Sequence, residues 1–334
     1  MAGAGSDALP KVPRLVVLTG ADGFIGRAVQ AHWARSGRPF RAVVRRRGSP
    51  VPLSRGQLPT DDLATATEGE LDRLVAGADA IVHLAGRAHV MRESAADPVA
   101  AYRAANVETT VRLARAAVRA GVGRFVLASS IKVNGEQSVA GRAFGPADPP
   151  APADAYAVSK LEAERALAAL AAGTPLAPIV LRLPLVYGPG VGGNFLALLD
   201  AVARRRVLPL AAVRARRSLL YVGNLAQAVD AALDAVPAPS GVHCLADAVP
   251  VALPDLVRAL AAALGVPARL VPVPVPLLRL AGFVTGRGAA LRRLTTALEV
   301  DSSRFREATG WTPAVTLDAG LADTARWWRR RHAL

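Results

Sequence analysis

The residues most suited to chemistry in this sequence are a tyrosine and a lysine four positions apart, Tyr156 and Lys160. They fall in an Ala-rich stretch that predicts a helix over 154–172, so both side chains lie on one helix face. An ammonium beside a phenol favours the phenolate, and we expect it to lower the pKa of the tyrosine. Such a phenol can exchange a proton with an alcohol hydroxyl. Ser130 follows a predicted strand and offers a hydroxyl that would hydrogen-bond the reacting oxygen.

A glycine-rich loop near the N-terminus is the second candidate. Residues 19–26 read TGADGFIG, with Gly20, Gly23 and Gly26 between an apolar run and a predicted helix. Glycine tolerates positive φ in the turn, and at a helix start it lets the backbone approach a phosphate. This strand–loop–helix context predicts a pyrophosphate-binding loop for a dinucleotide.

The end of the second predicted strand bears on which dinucleotide is bound. An acidic residue there would bind the ribose 2′-hydroxyl, but this chain has Val44 followed by Arg45, Arg46 and Arg47. Because arginine accommodates a 2′-phosphate, the pattern favours NADP and leaves NAD open. Further along, Asp62-Leu63 is a candidate contact of the adenine.

Strands and helices alternate through the first half, which predicts a doubly wound α/β domain with a parallel sheet, the Rossmann arrangement. The second half is less regular and predicts a smaller C-terminal α/β lobe. The predicted strands are 14–19, 40–45, 79–84, 124–129, 177–183 and 241–246, and the predicted helices are 24–36, 98–120, 154–172, 192–206, 222–236 and 253–264.

The chain divides into two predicted units. Residues 13–183, with about 219–246, form the dinucleotide-binding domain, and 184–218 with 247–330 form the substrate-binding lobe. The apolar segment 270–284 is interrupted by three prolines and Arg279, so we interpret it as a core or pocket-lining segment, with a membrane-surface role as the lesser alternative. No uncharged apolar stretch is long enough to span a membrane.

Composition excludes several classes of protein. Hydrophobic residues make up 52% of 334, which excludes disorder. The net charge is +15, but the arginines are dispersed and no nucleic-acid module surrounds them, so anionic small molecules such as nucleotides are the expected partners. The single cysteine, Cys244, and the lack of a signal peptide predict a cytoplasmic protein. His83 and His89 have no carboxylate cluster nearby, so we expect no metal site.

Taken together, the sequence resembles the extended short-chain dehydrogenase/reductases, in the NAD(P)-dependent epimerase/dehydratase family of nucleotide-sugar enzymes. Within it, the chain resembles a UDP-glucose 4-epimerase-like subgroup of polysaccharide pathways. The matching pieces run in the family's order over most of the chain. They are TGADGFIG (19–26), DAIVHLAG (79–86), LASSIKVNG (127–135), YAVSK (156–160), LRLPLVYGPG (181–190), RRSLLYVGNLA (216–226) and GWTP (310–313).

The resemblance implies roles for individual residues. Tyr156 would be the general acid/base, Ser130 its hydroxyl partner, and Lys160 both its activator and a ligand of the nicotinamide ribose. The substrate would meet Arg217 at its diphosphate and Asn194 at its nucleotide. The cofactor would be bordered by Gly20, Gly23, Phe24, Ile25, Gly26, Leu84, Ala85 and Gly86, with His83 and Asn106 beside it.

The same resemblance leaves two reactions open. The family's 4,6-dehydratases carry an Asp-Glu pair where this chain has Ile131 and Lys132, so dehydration is disfavoured. One remaining reaction is epimerisation at C4 of a UDP-hexose or UDP-N-acetylhexosamine through a transient 4-keto intermediate, with retained NAD. The other is NAD(P)H-dependent reduction of a UDP-4-keto-6-deoxy-N-acetylhexosamine. A non-catalytic NAD(P)-binding protein is a remote alternative, because the tyrosine and lysine are intact. The family also implies a homodimer.

Overall fold

The computed structural model describes residues 13–45, 57–60, 62–88, 97–139, 141–286 and 288–332. Their centre is a seven-stranded sheet in the order β10-β6-β5-β4-β1-β2-β3, and every neighbouring pair in it is parallel. The strands are β1 (Val16–Thr19), β2 (Phe40–Arg45), β3 (Gln57–Thr60), β4 (Ala80–His83), β5 (Arg124–Ser130), β6 (Ala177–Leu183), β7 (Leu185–Tyr187), β8 (Arg216–Arg217), β9 (Leu219–Tyr221), β10 (Gly241–Cys244) and β11 (Val251–Ala252).

Helices connect these strands and also build the C-terminal part. They are α1 (Phe24–Ser36), α2 (Glu68–Val75), α3 (Pro98–Tyr102), α4 (Thr109–Arg119), α5 (Ala155–Ala171), α6 (Gly193–Ala203), α7 (Val222–Asp234), α8 (Leu253–Leu264), α9 (Val275–Val284), α10 (Gly288–Thr295), α11 (Ser303–Thr309) and α12 (Leu317–His332). A π-helical turn, Arg103–Glu108, joins α3 to α4 without a break.

The sheet is buried on both faces, as its largely apolar strands require. Successive residues of β1 show this directly, because Val16 and Leu18 belong to one hydrophobic cluster and Val17 to another. Residues of α1 and α7 contribute to the first cluster, and residues of α2, α4 and α5 to the second. The predicted doubly wound α/β fold is therefore confirmed.

Local signals set several helix boundaries. Helix α1 ends at Gly37, whose φ of 74° is the left-handed conformation that glycine adopts freely. Helix α2 begins with a capping box, in which the Thr67 side chain accepts from the backbone N–H of Glu70 and the Glu70 side chain accepts from the N–H of Thr67. Helix α5 is capped by Asp154, which accepts from the N–H of Ala157.

Most predicted elements lie within a few residues of the observed ones, including the last strand of the main sheet, β10, which pairs with β6. Strand β3 and helix α2 were missed in the first half, as were the short strands β7, β8, β9 and β11 and the helices α9 to α12 in the second half. Helix α2 carried its own signal, the Thr67-x-x-Glu70 spacing. The predicted helix 98–120 is present, but its central turn is π-helical.

A third hydrophobic cluster unites α6, α8 and α12 in the second half of the chain. The interpretation of 270–284 as core was wrong for one side of α9, where Leu277 and Leu280 are exposed, although Leu278 is buried. Pro276, in the first turn of α9, is the last proline of this segment. The later turns of the helix contain none and can therefore form normally. In the described residues, no helix combines the length and the apolar character that crossing a membrane requires.

We predict that Gly26→Ala destabilises the fold, because a Cβ at this position would lie 2.1 Å from the carbonyl oxygen of Gly20. Overpacking of this kind costs about 1–3 kcal/mol in free energy of unfolding, measured by urea denaturation. Gly69→Ala is the matched control: its Cβ would come no closer than 3.9 Å to another group, and alanine favours the helix. Equal stability of the two variants would contradict the packing argument.

Candidate active site

The candidate site lies at the carboxyl ends of the strands, where the sheet order reverses. From β1, the chain runs outwards to β2 and β3 and then returns to β4 on the other side of β1. In open α/β sheets, such a reversal opens a crevice in which ligands bind. The loop after β1 and the loop after β4 form its two sides.

The glycine loop follows β1 directly and leads into α1. Gly20 has a φ of 67°, and a Cβ there would lie 2.5 Å from the backbone nitrogen of Ala85. Glycine is required at this position both for its conformation and for the close approach of the two loops. Gly23 precedes α1, and no side chain caps the helix there. The first backbone N–H groups of α1 therefore face the crevice without a side-chain acceptor and can bind an anion.

The loop after β4 is held by Asn106, which lies in the π-helical turn. Its Oδ1 accepts from the N–H of Arg87 at 2.8 Å, and its Nδ2 donates to Ser159 Oγ at 2.9 Å. Asn106 is buried, so these bonds form without competition from water. It therefore links the crevice loop Leu84–Ala85–Gly86 to helix α5, as a structural residue beside the expected cofactor.

Helix α5 and the end of β5 bring the tyrosine, lysine and serine together. Tyr156 hydrogen-bonds with Ser130. Lys160, one turn further along α5, donates from Nζ to the carbonyl of Ala128 at 3.0 Å. A Cβ on Gly86 would lie 3.4 Å from that Nζ, so the ammonium reaches the crevice loop. All three predicted residues thus meet at the crevice.

Burial controls the protonation of this group. It raises the pKa of Tyr156 to about 12, against the lowering effect of the hydrogen bond with Ser130. Burial also lowers the pKa of Lys160 to about 8, although the nearby charge of Glu164 opposes the change. The expected lowering of the tyrosine pKa by the lysine is not seen, because the cost of desolvating the phenolate is larger. At neutral pH the tyrosine is a neutral phenol and Lys160 is mostly charged.

A second lysine fixes the loop after β5. Lys132 Nζ lies 2.5 Å from Asp154 Oδ2, while Asp154 Oδ1 caps α5. The residue that replaces a dehydratase carboxylate is therefore engaged in an ion pair. This pair holds the turn after Ser130 against the first turn of α5, which carries Tyr156. Lys132 and Asp154 had not been predicted to position the site.

Beneath the site lies a buried ionic network. Arg182 on β6 donates from Nη2 to Glu164 Oε2 at 2.7 Å, and both side chains are only 4% exposed. Ser129 Oγ donates to the same carboxylate, and Arg182 Nη1 donates to Asn134 Oδ1 at 3.0 Å. Glu164 follows Lys160 by four residues, so it shares the face of α5 that carries the tyrosine and lysine. That spacing was a signal that could have identified it.

A cavity of about 580 Å³ lies between the segment that links β5 to α5 and helix α10. Its walls include Asn134 and Glu136 after β5, residues just before α5, and Arg292 and Arg293 of α10. Arg217, the predicted diphosphate ligand, donates from Nη1 to the carbonyls of Arg293 at 2.7 Å and Thr296 at 3.0 Å. It therefore holds the C-terminal end of α10, which forms one wall of the cavity.

The remaining predicted residues have simpler surroundings. Asn194 is exposed in the first turn of α6, where Gly192 occupies the cap position. Leu63 is buried in the core, and Asp62 accepts from the N–H of Ala64 at 3.0 Å. Arg45 is the last residue of β2, whereas Arg46, Arg47 and His89 lie outside the described residues.

His83 ends β4 and is buried. Its Nδ1 lies 2.7 Å from Thr19 Oγ1, and burial lowers its pKa to about 3, with a further lowering by Lys160. The imidazole is therefore neutral. Within the described ranges, no three metal-ligating side chains group together.

We predict that Glu164→Gln lowers the free energy of unfolding by about 3–5 kcal/mol, because it leaves the buried Arg182 without its counter-charge. Urea denaturation measures the change, and a double variant with Arg182→Met should cost less than the sum of the single changes. Glu162→Gln, on the same helix, is the control and should have little effect, because its partner Arg103 is exposed. If the changes in free energy of unfolding of the two single variants simply added up in the double variant, the coupling between Glu164 and Arg182 would be refuted.

Comparisons with known proteins agree with this geometry. The sequence model of the NAD-dependent epimerase/dehydratase family matches residues 16–243. A UDP-glucose 4-epimerase of Vibrio cholerae is 37% identical over 319 residues, covering 95% of this chain and 96% of that protein. A ceramide reductase of Caulobacter vibrioides is 29% identical over 306 residues, covering 90% of this chain and 86% of that protein.

Among solved structures, MoeE5 in complex with UDP-glucose and NAD has a TM-score of 0.73 at 27% identity, covering 95% of this chain and 99% of that one. The resemblance found in the sequence is thus confirmed independently by the family match, by the relatives and by the fold. The chain belongs to the NAD-dependent epimerase/dehydratase family.

Proposed function

We propose that this chain is an NAD(P)-dependent epimerase acting at C4 of a UDP-hexose or UDP-N-acetylhexosamine. The observation that carries the proposal is the meeting of Ser130, Tyr156 and Lys160 at the crevice beside the glycine loop. Similarity to the Vibrio cholerae UDP-glucose 4-epimerase over nearly the whole chain supports it, as does similarity to a structure that contains UDP-glucose and NAD.

The crevice fits a dinucleotide. The uncapped start of α1 and the glycine loop suit a pyrophosphate, which Gly20, Gly23, Phe24, Ile25 and Gly26 would hold. Leu84, Ala85 and Gly86 would border the opposite side, and Lys160 would reach the nicotinamide ribose. Bound NAD(P) supplies a hydride acceptor and donor.

Tyr156 would move the proton of the reacting hydroxyl. As the phenolate, it would accept this proton when the sugar is oxidised at C4, and the resulting phenol would return it when the 4-keto intermediate is reduced on its other face. With a pKa of about 12, Tyr156 is mostly a phenol at neutral pH, which suits proton donation to the ketone, whereas the oxidation half of the reaction needs the phenolate. Ser130 orients the substrate oxygen, and the charge of Lys160 stabilises the phenolate when it forms.

The cavity would hold the nucleotide sugar. Arg292 and Arg293 line it and suit a diphosphate, since one guanidinium group can donate two parallel hydrogen bonds to phosphate oxygens. In this proposal Arg217 serves the diphosphate by holding α10 in place. Asn194 stays a predicted contact of the nucleotide.

Reduction of a UDP-4-keto-6-deoxy-N-acetylhexosamine is the second candidate. The observation that favours it is the run Arg45-Arg46-Arg47 in place of an acidic residue after β2, which suits NADPH. The relative named as a ceramide reductase indicates that single hydride delivery occurs on similar chains. Dehydration is disfavoured because Ile131 is apolar and Lys132 is paired with Asp154.

We expect the wild-type protein to interconvert a UDP-hexose or UDP-N-acetylhexosamine with its C4 epimer. Chromatography of the sugar nucleotides measures this conversion. Tyr156→Phe should lower kcat by at least about 100-fold, because it removes the acid/base hydroxyl. Tyr221→Phe is the control, since that hydroxyl donates to Asp323, outside the site. Near-normal turnover of Tyr156→Phe would eliminate the assigned acid/base.

The nucleotide released on denaturing the purified protein distinguishes the two reactions. An epimerase recycles its cofactor, so we expect stoichiometric NAD or NADH, identified by mass. A protein that is purified empty and is stabilised more by NADPH than by NADH in a thermal shift would instead identify a reductase. In that case, replacing Arg45, Arg46 and Arg47 with uncharged residues should weaken the binding of NADPH more than the binding of NADH.

A further inference from the structure

The outward side of α9 is an exposed apolar surface. We define the α9 face as Leu277, Leu280, Phe283 and Val284, which are 56%, 60%, 82% and 77% exposed. Leu277, Leu280 and Val284 follow the spacing i, i+3, i+7, so they form one stripe, with Phe283 beside it. Single exposed apolar residues are ordinary, but a contiguous patch of large ones marks an interaction surface.

The opposite side of α9 packs against α10, so the helix is anchored in the fold although its outward side is exposed. Leu278 is buried, and a Cβ at Gly282 would lie 2.6 Å from Leu291 of α10. Arg279 donates to Thr295 Oγ1 at 3.2 Å. Helices α9 and α10 therefore form a packed hairpin whose inner side is satisfied, while the α9 face points away from it.

The charge around this face indicates its partner. Between Asp255 and Glu299 the sequence has no acidic residue and six arginines, namely Arg258, Arg269, Arg279, Arg287, Arg292 and Arg293. Arg279 and Arg292 of the hairpin are exposed. By sequence, the α9–α10 hairpin thus carries positive and no negative side chains, and an apolar stripe with such charges is typical of helices that lie in the interface of an anionic bilayer.

We propose that the α9 face docks this protein on the surface of anionic phospholipid membranes. A second copy of the chain fits less well, because a symmetric contact through α9 would bring Arg279 and its neighbours towards their own copies. With 10 residues, α9 is about 15 Å long and would lie along the bilayer surface, since spanning requires about 20 residues.

Docking through α9 would also orient the cavity. Helix α10 packs on α9 and supplies Arg292 and Arg293 to the cavity wall. A docked hairpin would therefore place that wall near the lipid headgroups. The docking itself does not depend on the proposed reaction, because none of the four residues of the α9 face lines the cavity or touches the candidate active site.

Vesicle flotation tests the proposal. The full chain should float with vesicles of equal parts phosphatidylglycerol and phosphatidylcholine, less so in high salt, and much less with phosphatidylcholine alone. The double variant Leu280→Glu/Phe283→Glu should bind the anionic vesicles at least about tenfold more weakly, because it removes apolar contact and adds repulsion. As a control, Val236→Glu introduces a glutamate at an exposed apolar residue after α7, away from the α9 face, and should bind like the wild type.

A fluorescent variant keeps the test independent of how well the double variant folds. Compared with the wild type, Phe283→Trp should show an additional blue-shifted emission on anionic vesicles and quenching by brominated lipid, which report insertion of the α9 face. Failure of the wild type to float, or an unshifted emission spectrum of the Phe283→Trp variant on vesicles that do bind it, would overturn the proposal. So would light scattering that shows a wild-type dimer dissociated by the double variant, because a second copy would then cover the face.

Discussion

The buried ion pair between Glu164 and Arg182 is the constraint on which the candidate site depends. Arg182 stands in β6, where helices cover both faces of the sheet, so its guanidinium needs a counter-charge inside the protein. Glu164 supplies it from α5, and Ser129 joins the same carboxylate from β5. Since Tyr156, Lys160 and Glu164 share one face of α5, the ion pair also sets how that helix is rotated and how far it is displaced along its axis.

Two further contacts complete the placement of α5. At its start, the Lys132–Asp154 pair ties the first turn to the loop after Ser130. In its first half, Ser159 accepts from Asn106, which holds the crevice loop on its other side. The helix is thus fixed at three levels by polar groups from three separate elements. The proposed proton transfer by Tyr156 needs a fixed α5, because a small displacement of the phenol would break its hydrogen bond with Ser130.

The sequence was enough to predict six of the seven strands of the main sheet, the glycine loop and the Ser130–Tyr156–Lys160 group, because each depends on local patterns. The neighbours that fix these residues were harder to predict. Arg182 and Asn134 meet Glu164 only through the fold. Arg217 shows a different limit: its type and position suggested a phosphate ligand, whereas its guanidinium donates to backbone carbonyls at the end of α10. The sequence favoured a buried α9 over an exposed one, since an apolar run fits a core and nothing local shows which side of the helix is covered.

The π-helical turn at Arg103–Glu108 also has an evolutionary consequence. Such a turn holds one residue more than the α-helical path between the same ends. A single-residue deletion within it can therefore be absorbed as a continuous α-helix, with α3 and α4 each kept intact. The side chain of Asn106 would then turn away from the loop after β4. Such a deletion would keep both helices and break the link between the crevice loop and α5.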